Sequence, residues 1–174
     1  MEAKVISDQT KPHVLWVDDD DPERFVYERY LLERDGWKVT WAKDVAEAAK
    51  ALSRERFDAM ILDQMIAGNG VEEQFVIWAG CRLLRWLRGT DRTEIPASQR
   101  GEDGPWPALR SLAPHDSNKQ LPVAILSAYH DADVLRATQS ASDQDRKALF
   151  LGKPVKEAEL LDFLKKVRTK PQAS

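Results

Sequence analysis

Five side chains that can bind a metal ion or a phosphate each follow closely on an apolar run that predicts a strand. They are Asp18, Asp19, Asp63, Ser127 and Lys153. Ligands of open parallel α/β sheets bind outside the carboxyl ends of the strands, so we expect these side chains to converge at one edge of such a sheet. Asp63 most needs charged neighbours, because a carboxylate at the exit of a buried strand is poorly solvated.

The chemistry that these groups favour is transfer of a phosphoryl group. Three carboxylates in one crevice repel one another and require a cation, and oxygen ligands with room for water suit Mg²⁺. With the ion present, Asp63 could attack a phosphorus centre, since this reaction depends mainly on positioning and on charge neutralisation. The Lys153 ammonium and the Ser127 hydroxyl would then bond oxygens of the transferred group.

Strand and helix patterns alternate along the chain. Strands are predicted over 13–17, 37–41, 59–62, 121–126 and 148–151, and helices over 22–34, 45–54, about 71–88, about 131–142 and 157–167. This alternation predicts an α/β fold with a parallel sheet and helices on both faces.

The third predicted helix is apolar on two opposite faces, so both faces must be buried. One face can pack on the sheet, and the other needs extra protein or a second subunit, which makes a homodimer one option. Residues 89–120 hold four of the nine prolines and offer no strand pattern. We predict that about 89–120 is an insertion, anchored through Trp106, Leu109 and Leu112, that docks on this second face.

Composition predicts a soluble cytoplasmic domain. The chain has 174 residues, of which 43% are hydrophobic and 32% charged, with one cysteine and a net charge of −3. This charge gives no reason to expect nucleic acid or a membrane as partner. No apolar run approaches the roughly 20 residues of a membrane span, and no signal peptide is evident. We predict a lead-in over 1–12, one domain over 13–168 and a tail over 169–174.

As a set, four motifs resemble the receiver domain of two-component response regulators. They are Val17-Asp18-Asp19-Asp20, Ile61-Leu62-Asp63, Leu126-Ser127-Ala128 and the segment from Phe150 to Pro154. The resemblance spans about 13–168, with 89–120 outside it. It implies a doubly wound (βα)5 fold whose five parallel strands take the flavodoxin-like order 2-1-3-4-5, here in a single-domain form with a long insertion between helix 3 and strand 4.

The resemblance also implies an acceptor and a metal site. Asp63 matches the aspartate that accepts the phosphoryl group. Asp18 and Asp19 match the acidic pair that holds Mg²⁺, with Asp19 as the direct ligand. The backbone carbonyl of Met65 would complete the protein ligands together with Asp63.

Further positions match residues that respond to the phosphoryl group. Lys153 matches the lysine that bonds it, and its peptide bond to Pro154 is expected to be cis. Ser127 matches the hydroxyl that moves toward the group, and Phe150 matches the switch aromatic. Either Gly70 or Gly80 could be the glycine that opens the third helix.

The function implied is that of a phosphorelay receiver rather than a classical enzyme. A histidine kinase or phosphotransfer protein would supply the phosphoryl group, with autocatalytic transfer and dephosphorylation, and a downstream protein would read the modified surface. Two alternatives are a haloacid-dehalogenase-type phosphatase that uses Asp18 and a degenerate receiver that only binds proteins. The missing threonine after Asp18-x-Asp20 argues against the first, and the intact set of site residues argues against the second.

Overall fold

Five parallel strands form one sheet in the order β2-β1-β3-β4-β5, which confirms the predicted topology. The computed structural model describes residues 11–66, 79–89, 111–127 and 148–169. The strands are β1 His13–Val17, β2 Lys38–Ala42, β3 Ala59–Asp63, β4 Val123–Ser127 and β5 Ala148–Gly152. The helices are α1 Val26–Arg34, α2 Val45–Arg54, α3 Ala79–Arg88 and α4 Glu157–Thr169, with 3-10 segments at Pro22–Phe25 and Asp116–Gln120.

The sheet is covered on both faces, as expected for a parallel sheet whose central strands are wholly buried. One core cluster joins alternate strand residues to α2 and α3, through side chains such as Leu52 and Leu83. The other joins the remaining strand residues to α1 and α4, through side chains such as Leu32 and Leu164. The helices α2, α3 and α4 therefore pack through their apolar stripes, whereas α1 packs through Leu31 and Leu32 and leaves Val26, Tyr27 and Tyr30 exposed.

Local signals set most element ends. The Asp44 carboxylate accepts a hydrogen bond from the Glu47 N–H and so caps α2, which has the predicted bounds. Gly36, with φ of 89°, follows the end of α1 as predicted. The helix predicted over 22–34 is confirmed: its first turn, Pro22–Phe25, is a 3-10 segment capped by the Asp21 carboxylate, and α1 follows directly from Val26.

The described part of the insertion covers the second face of α3. Leu83, Leu84, Trp86 and Leu87 are all buried, although they point to different sides of the helix. The Trp86 indole N–H donates to the backbone carbonyl of Leu112 at 3.3 Å, and Leu112 packs against the core. The prediction that Leu112 anchors the insertion on α3 is therefore confirmed.

Asn118 fastens the end of the insertion to the sheet. Its side chain is fully buried, and its Oδ1 accepts from the Phe57 N–H at 3.0 Å. Its Nδ2 donates to the backbone carbonyls of Leu52 at 2.9 Å and Glu55 at 2.7 Å. These bonds join the insertion to the end of α2 and to the segment that leads into β3.

Several predictions lie outside the described residues. They concern the lead-in over 1–10, the start of the third helix at 71–78, Gly70, the anchors Trp106 and Leu109, the helix over about 131–142 and the tail from 170. Within the ranges that are described, every helix is too short or too polar to cross a membrane.

Candidate functional site

Three carboxylates meet at the carboxyl edge of the sheet, where the sequence predicts them. Asp18 follows β1 directly and has no exposed surface, and Asp63 is the last residue of β3 and is 5% exposed. Asp19 is exposed beside them. One carboxylate oxygen from each of the three lies within 4.8 Å of the other two. This spacing makes the group a candidate cation site.

Lys153 supplies a positive charge between the two buried carboxylates. Its Nζ lies 2.8 Å from Asp63 Oδ2 and 3.0 Å from Asp18 Oδ2, and its side chain is 17% exposed. The Lys153 backbone N–H donates to the carbonyl of Ser127, and the peptide bond to Pro154 is cis, as predicted. The end of β5 thus delivers the ammonium to the end of β3.

Backbone N–H groups hold the other oxygen of each buried carboxylate. Asp63 Oδ1 accepts from the Met65 N–H at 3.1 Å, and Asp18 Oδ1 accepts from the Asp20 N–H at 3.0 Å. In each carboxylate, one oxygen therefore accepts from a backbone N–H and the other accepts from the Lys153 ammonium, which fixes the orientation of the group.

Burial and charge set the protonation of this pair. Burial raises the pKa of Asp63 to about 6, although the hydrogen bond and charge of Lys153 act in the opposite direction. Burial lowers the pKa of Lys153, but the hydrogen bond and charge of Asp63, with help from Asp18, outweigh it and raise the pKa overall. At neutral pH the site therefore holds a mostly ionised carboxylate beside a charged ammonium.

The remaining predicted residues lie at or near the same edge. Ser127 is the last residue of β4 and is 1% exposed. It pairs with Gly152 of β5, and the residue before it, Leu126, pairs with Asp63 of β3. Met65 is half-buried in the loop after β3. Phe150 is half-buried within β5 and packs against the core cluster of α2 and α3. The strands thus bring Ser127 to the site, whereas Phe150 lies further back along its strand.

Two residues at the site were missed in the sequence. Phe25 lies with its ring centroid 5.9 Å from Lys153 Nζ, and only its position after the acidic loop could have indicated this. Gln64 is fully buried directly after Asp63, and its side-chain amide has no hydrogen-bond partner in the described part of the chain. The position of Gln64, a polar residue directly after a buried strand and Asp63, was the one sequence feature that could have indicated its place at the site.

Gly80 lets α3 approach the backbone of the acceptor loop. A Cβ atom at this position would lie 2.5 Å from the carbonyl oxygen of Asp63 and 2.8 Å from Cα of Gln64. The Gly80 N–H donates to the Gln64 carbonyl at 3.2 Å. Only glycine therefore fits at position 80, where α3 lies against the backbone of Asp63 and Gln64. The other candidate glycine, Gly70, is outside the described residues.

The Gly80→Ala variant is expected to lose roughly 1–3 kcal/mol of unfolding free energy, because the added methyl group would collide with backbone that cannot rotate away. Urea unfolding measures the change. Gly152→Ala is the matched control, since a Cβ atom there would meet nothing within 4 Å. Equal stability of the two variants would contradict the close contact at Gly80.

Known proteins share this architecture. The receiver domain of HemR from Leptospira biflexa, in its non-phosphorylated form, is 21% identical and has a TM-score of 0.61, with 94% of this chain and 99% of that one covered. The chain has the receiver-domain fold. A second structure with this fold is the receiver domain of the sensor histidine kinase PA1611 from Pseudomonas aeruginosa, at 20% identity and a TM-score of 0.54, covering 91% of this chain and 99% of that one. It carries a magnesium ion coordinated in its active-site cleft.

A curated protein is similar to this chain in sequence. Protein PetR of Rhodobacter capsulatus is 33% identical over 96 residues, which cover 53% of this chain. The matched part is 40% of the length of PetR, so the chain spans less than half of that relative. No protein-family model matches the chain.

Proposed function

We propose that Asp63 accepts a phosphoryl group from a phosphohistidine on a histidine kinase or phosphotransfer protein. The observation that carries this proposal is the Asp63 carboxylate held 2.8 Å from Lys153 Nζ, beside an acidic pair, at the ligand-binding edge of a receiver fold. The chain then acts as a phospho-accepting switch in two-component signalling and not as a classical enzyme.

The donor set fits Mg²⁺. Asp18, Asp19 and Asp63 offer hard oxygen ligands close together, and the backbone carbonyl of Met65 is the further ligand that the receiver resemblance implies. When bound, Mg²⁺ neutralises charge on the carboxylates and on the phosphoryl oxygens. Exposure of Asp19 leaves the group open to solvent on one side, which suits an ion that retains water molecules.

In the transfer step, an oxygen of Asp63 forms a bond to phosphorus while the bond from phosphorus to the histidine nitrogen breaks. The imidazole leaves with the electron pair of that bond. Lys153 exchanges one carboxylate contact for a phosphoryl oxygen, and the Ser127 hydroxyl donates to another. Water later attacks phosphorus, the bond from phosphorus to the Asp63 oxygen breaks, and inorganic phosphate leaves. Asp63 returns to its carboxylate, so the chain catalyses both its own modification and its reversal.

The output of this switch is a change of protein-binding surface. Movement of Ser127 toward the phosphoryl group would alter the surface near β5 and α4, with Phe150 of β5 adjusting to it. A downstream protein in the cytoplasm would read this change. Neither nucleic acid nor a membrane enters the proposal.

Acetyl phosphate with Mg²⁺ tests the proposal. We expect intact-protein mass spectrometry to show the mass gain of one phosphoryl group, labile at alkaline pH as acyl phosphates are. Asp63→Asn should abolish the gain, whereas Asp162→Asn, at an exposed position on α4, should leave it unchanged. A wild-type protein that gains no mass would overturn the proposal, and a label lost only in Asp18→Asn would favour a phosphatase that uses Asp18.

A further inference from the structure

Phe25 is fixed to the sheet next to the acidic loop. It ends the 3-10 segment that follows residues 18–21, and its side chain is half-buried. Its ring centroid lies 5.3 Å from that of Trp16 and 5.5 Å from that of Trp41, and these two indoles stack on each other at 5.4 Å. Because Trp16 and Trp41 belong to neighbouring strands, they hold the Phe25 ring in one place.

The Lys153 ammonium of the site lies over the face of the Phe25 ring. Lys153 Nζ lies 5.9 Å from the Phe25 ring centroid, within the range of a cation–π attraction. The same ammonium bonds Asp18 and Asp63. The low exposure of all three charged side chains strengthens the attraction, because little water screens it.

The carboxylate bonds of Lys153 can be displaced by a cation or a phosphoryl group, whereas its contact with the Phe25 ring cannot. A cation on Asp18 and Asp63 competes directly for the carboxylate oxygens that Lys153 now bonds, and a phosphoryl group on Asp63 removes one of them. The Phe25 ring offers neither a charge nor a lone pair, so it competes for neither the cation nor the phosphoryl group. It is therefore the contact that can persist while the carboxylate bonds of Lys153 are exchanged.

We propose that Phe25 is a positioning residue, which keeps the Lys153 ammonium at the site while Lys153 changes from carboxylate to phosphoryl oxygens. This inference rests on the proposed phospho-acceptor role of Asp63. Phe25 acts through Lys153 and touches neither the acceptor oxygen nor the phosphorus. Its neighbour Arg24 does not share this role, because its guanidinium bonds Asp20 at 2.6 Å and is largely exposed.

The test compares Phe25→Leu, which keeps apolar bulk and removes the ring, with Phe25→Tyr, which keeps the ring. The rate of phosphorylation by acetyl phosphate with Mg²⁺ is measured for both, in the natural sequence and in a Lys153→Ala background. We expect Phe25→Leu to slow phosphorylation roughly 3- to 30-fold, as loss of a cation–π contact predicts. Phe25→Tyr should keep a phosphorylation rate close to that of the wild type. In the Lys153→Ala background, Phe25→Leu should cause no further loss of rate.

A spectroscopic measurement tests the contact itself. A ring beside the ammonium shifts the NMR signals of the Lys153 Cε protons upfield, and we expect this shift to persist in Phe25→Tyr and to vanish in Phe25→Leu. A wild-type phosphorylation rate in Phe25→Leu overturns the inference. An equal loss of rate in the natural sequence and in the Lys153→Ala background also overturns it, because it would show that Phe25 has a purely structural role. A wild-type protein that takes no phosphoryl group instead overturns the proposed function, so the two failures are distinguishable.

Discussion

The Asp63→Asn variant is expected to be more stable than the wild type at pH 7, by roughly 1–3 kcal/mol of unfolding free energy. The Asp63 carboxylate is almost wholly buried, and burial raises its pKa from 3.8 to about 6 in spite of the bond to Lys153. The folded state thus carries an ionised group that it would hold more easily in the protonated form. An amide has nearly the same shape and no charge, so it removes this cost.

The pH dependence of this effect has a defined sign. Between pH 4 and pH 6 the folded wild type binds a proton on Asp63 that the unfolded chain has released, so wild-type stability falls as the pH rises through this window. The advantage of Asp63→Asn should be largest above pH 6 and should vanish toward pH 4. Urea unfolding at several pH values, with EDTA to remove divalent ions, measures both curves.

Asp162→Asn serves as the control for this comparison. Its carboxylate is 61% exposed and pairs with Lys166 on the surface of α4, so its loss should change stability by about 0.5 kcal/mol or less. If Asp63→Asn proved less stable than the wild type at pH 7, the charge of Asp63 would be a net contributor to the fold. The physical account of its raised pKa would then be wrong.

Loss of Asn118 is expected to have the second large effect. The Asn118→Ala variant should lose roughly 2–4 kcal/mol of unfolding free energy, because it leaves the buried backbone groups of Phe57, Leu52 and Glu55 with fewer partners and creates a cavity. The loss is local to the junction between α2, β3 and the insertion. Chemical denaturation measures it directly.

Ser117 offers the matched control in the same 3-10 segment. It is exposed, and in the described part of the chain its hydroxyl lies 2.7 Å from His115 Nδ1, so Ser117→Ala should stay within about 0.5 kcal/mol of the wild type. Equal stability of Asn118→Ala and Ser117→Ala would mean that the end of the insertion adds little to the fold. The covering of α3 by the insertion would then depend on other contacts, such as that of Trp86 with Leu112.

Much of the fold and site follows from local sequence. The apolar runs ending at Val17 and Leu62 predict buried strands because every one of their side chains must leave water. Their parallel arrangement then brings Asp18, Asp63 and Lys153 to one edge, whatever the details of packing. Caps such as Asp44 are equally readable, since their partners lie three residues away.

Only the tertiary structure decided which distant residues meet at the site and which fasten the insertion to the sheet. Phe25 reaches Lys153, Gly80 meets the backbone of Asp63, and Asn118 bonds Phe57 across 61 positions of sequence. Such contacts have no periodicity and no spacing rule, because they depend on where distant elements come to rest on the sheet. The sequence by itself therefore determined the strands and the charges at their ends, whereas packing between distant segments determined how the acceptor carboxylate and its lysine are held.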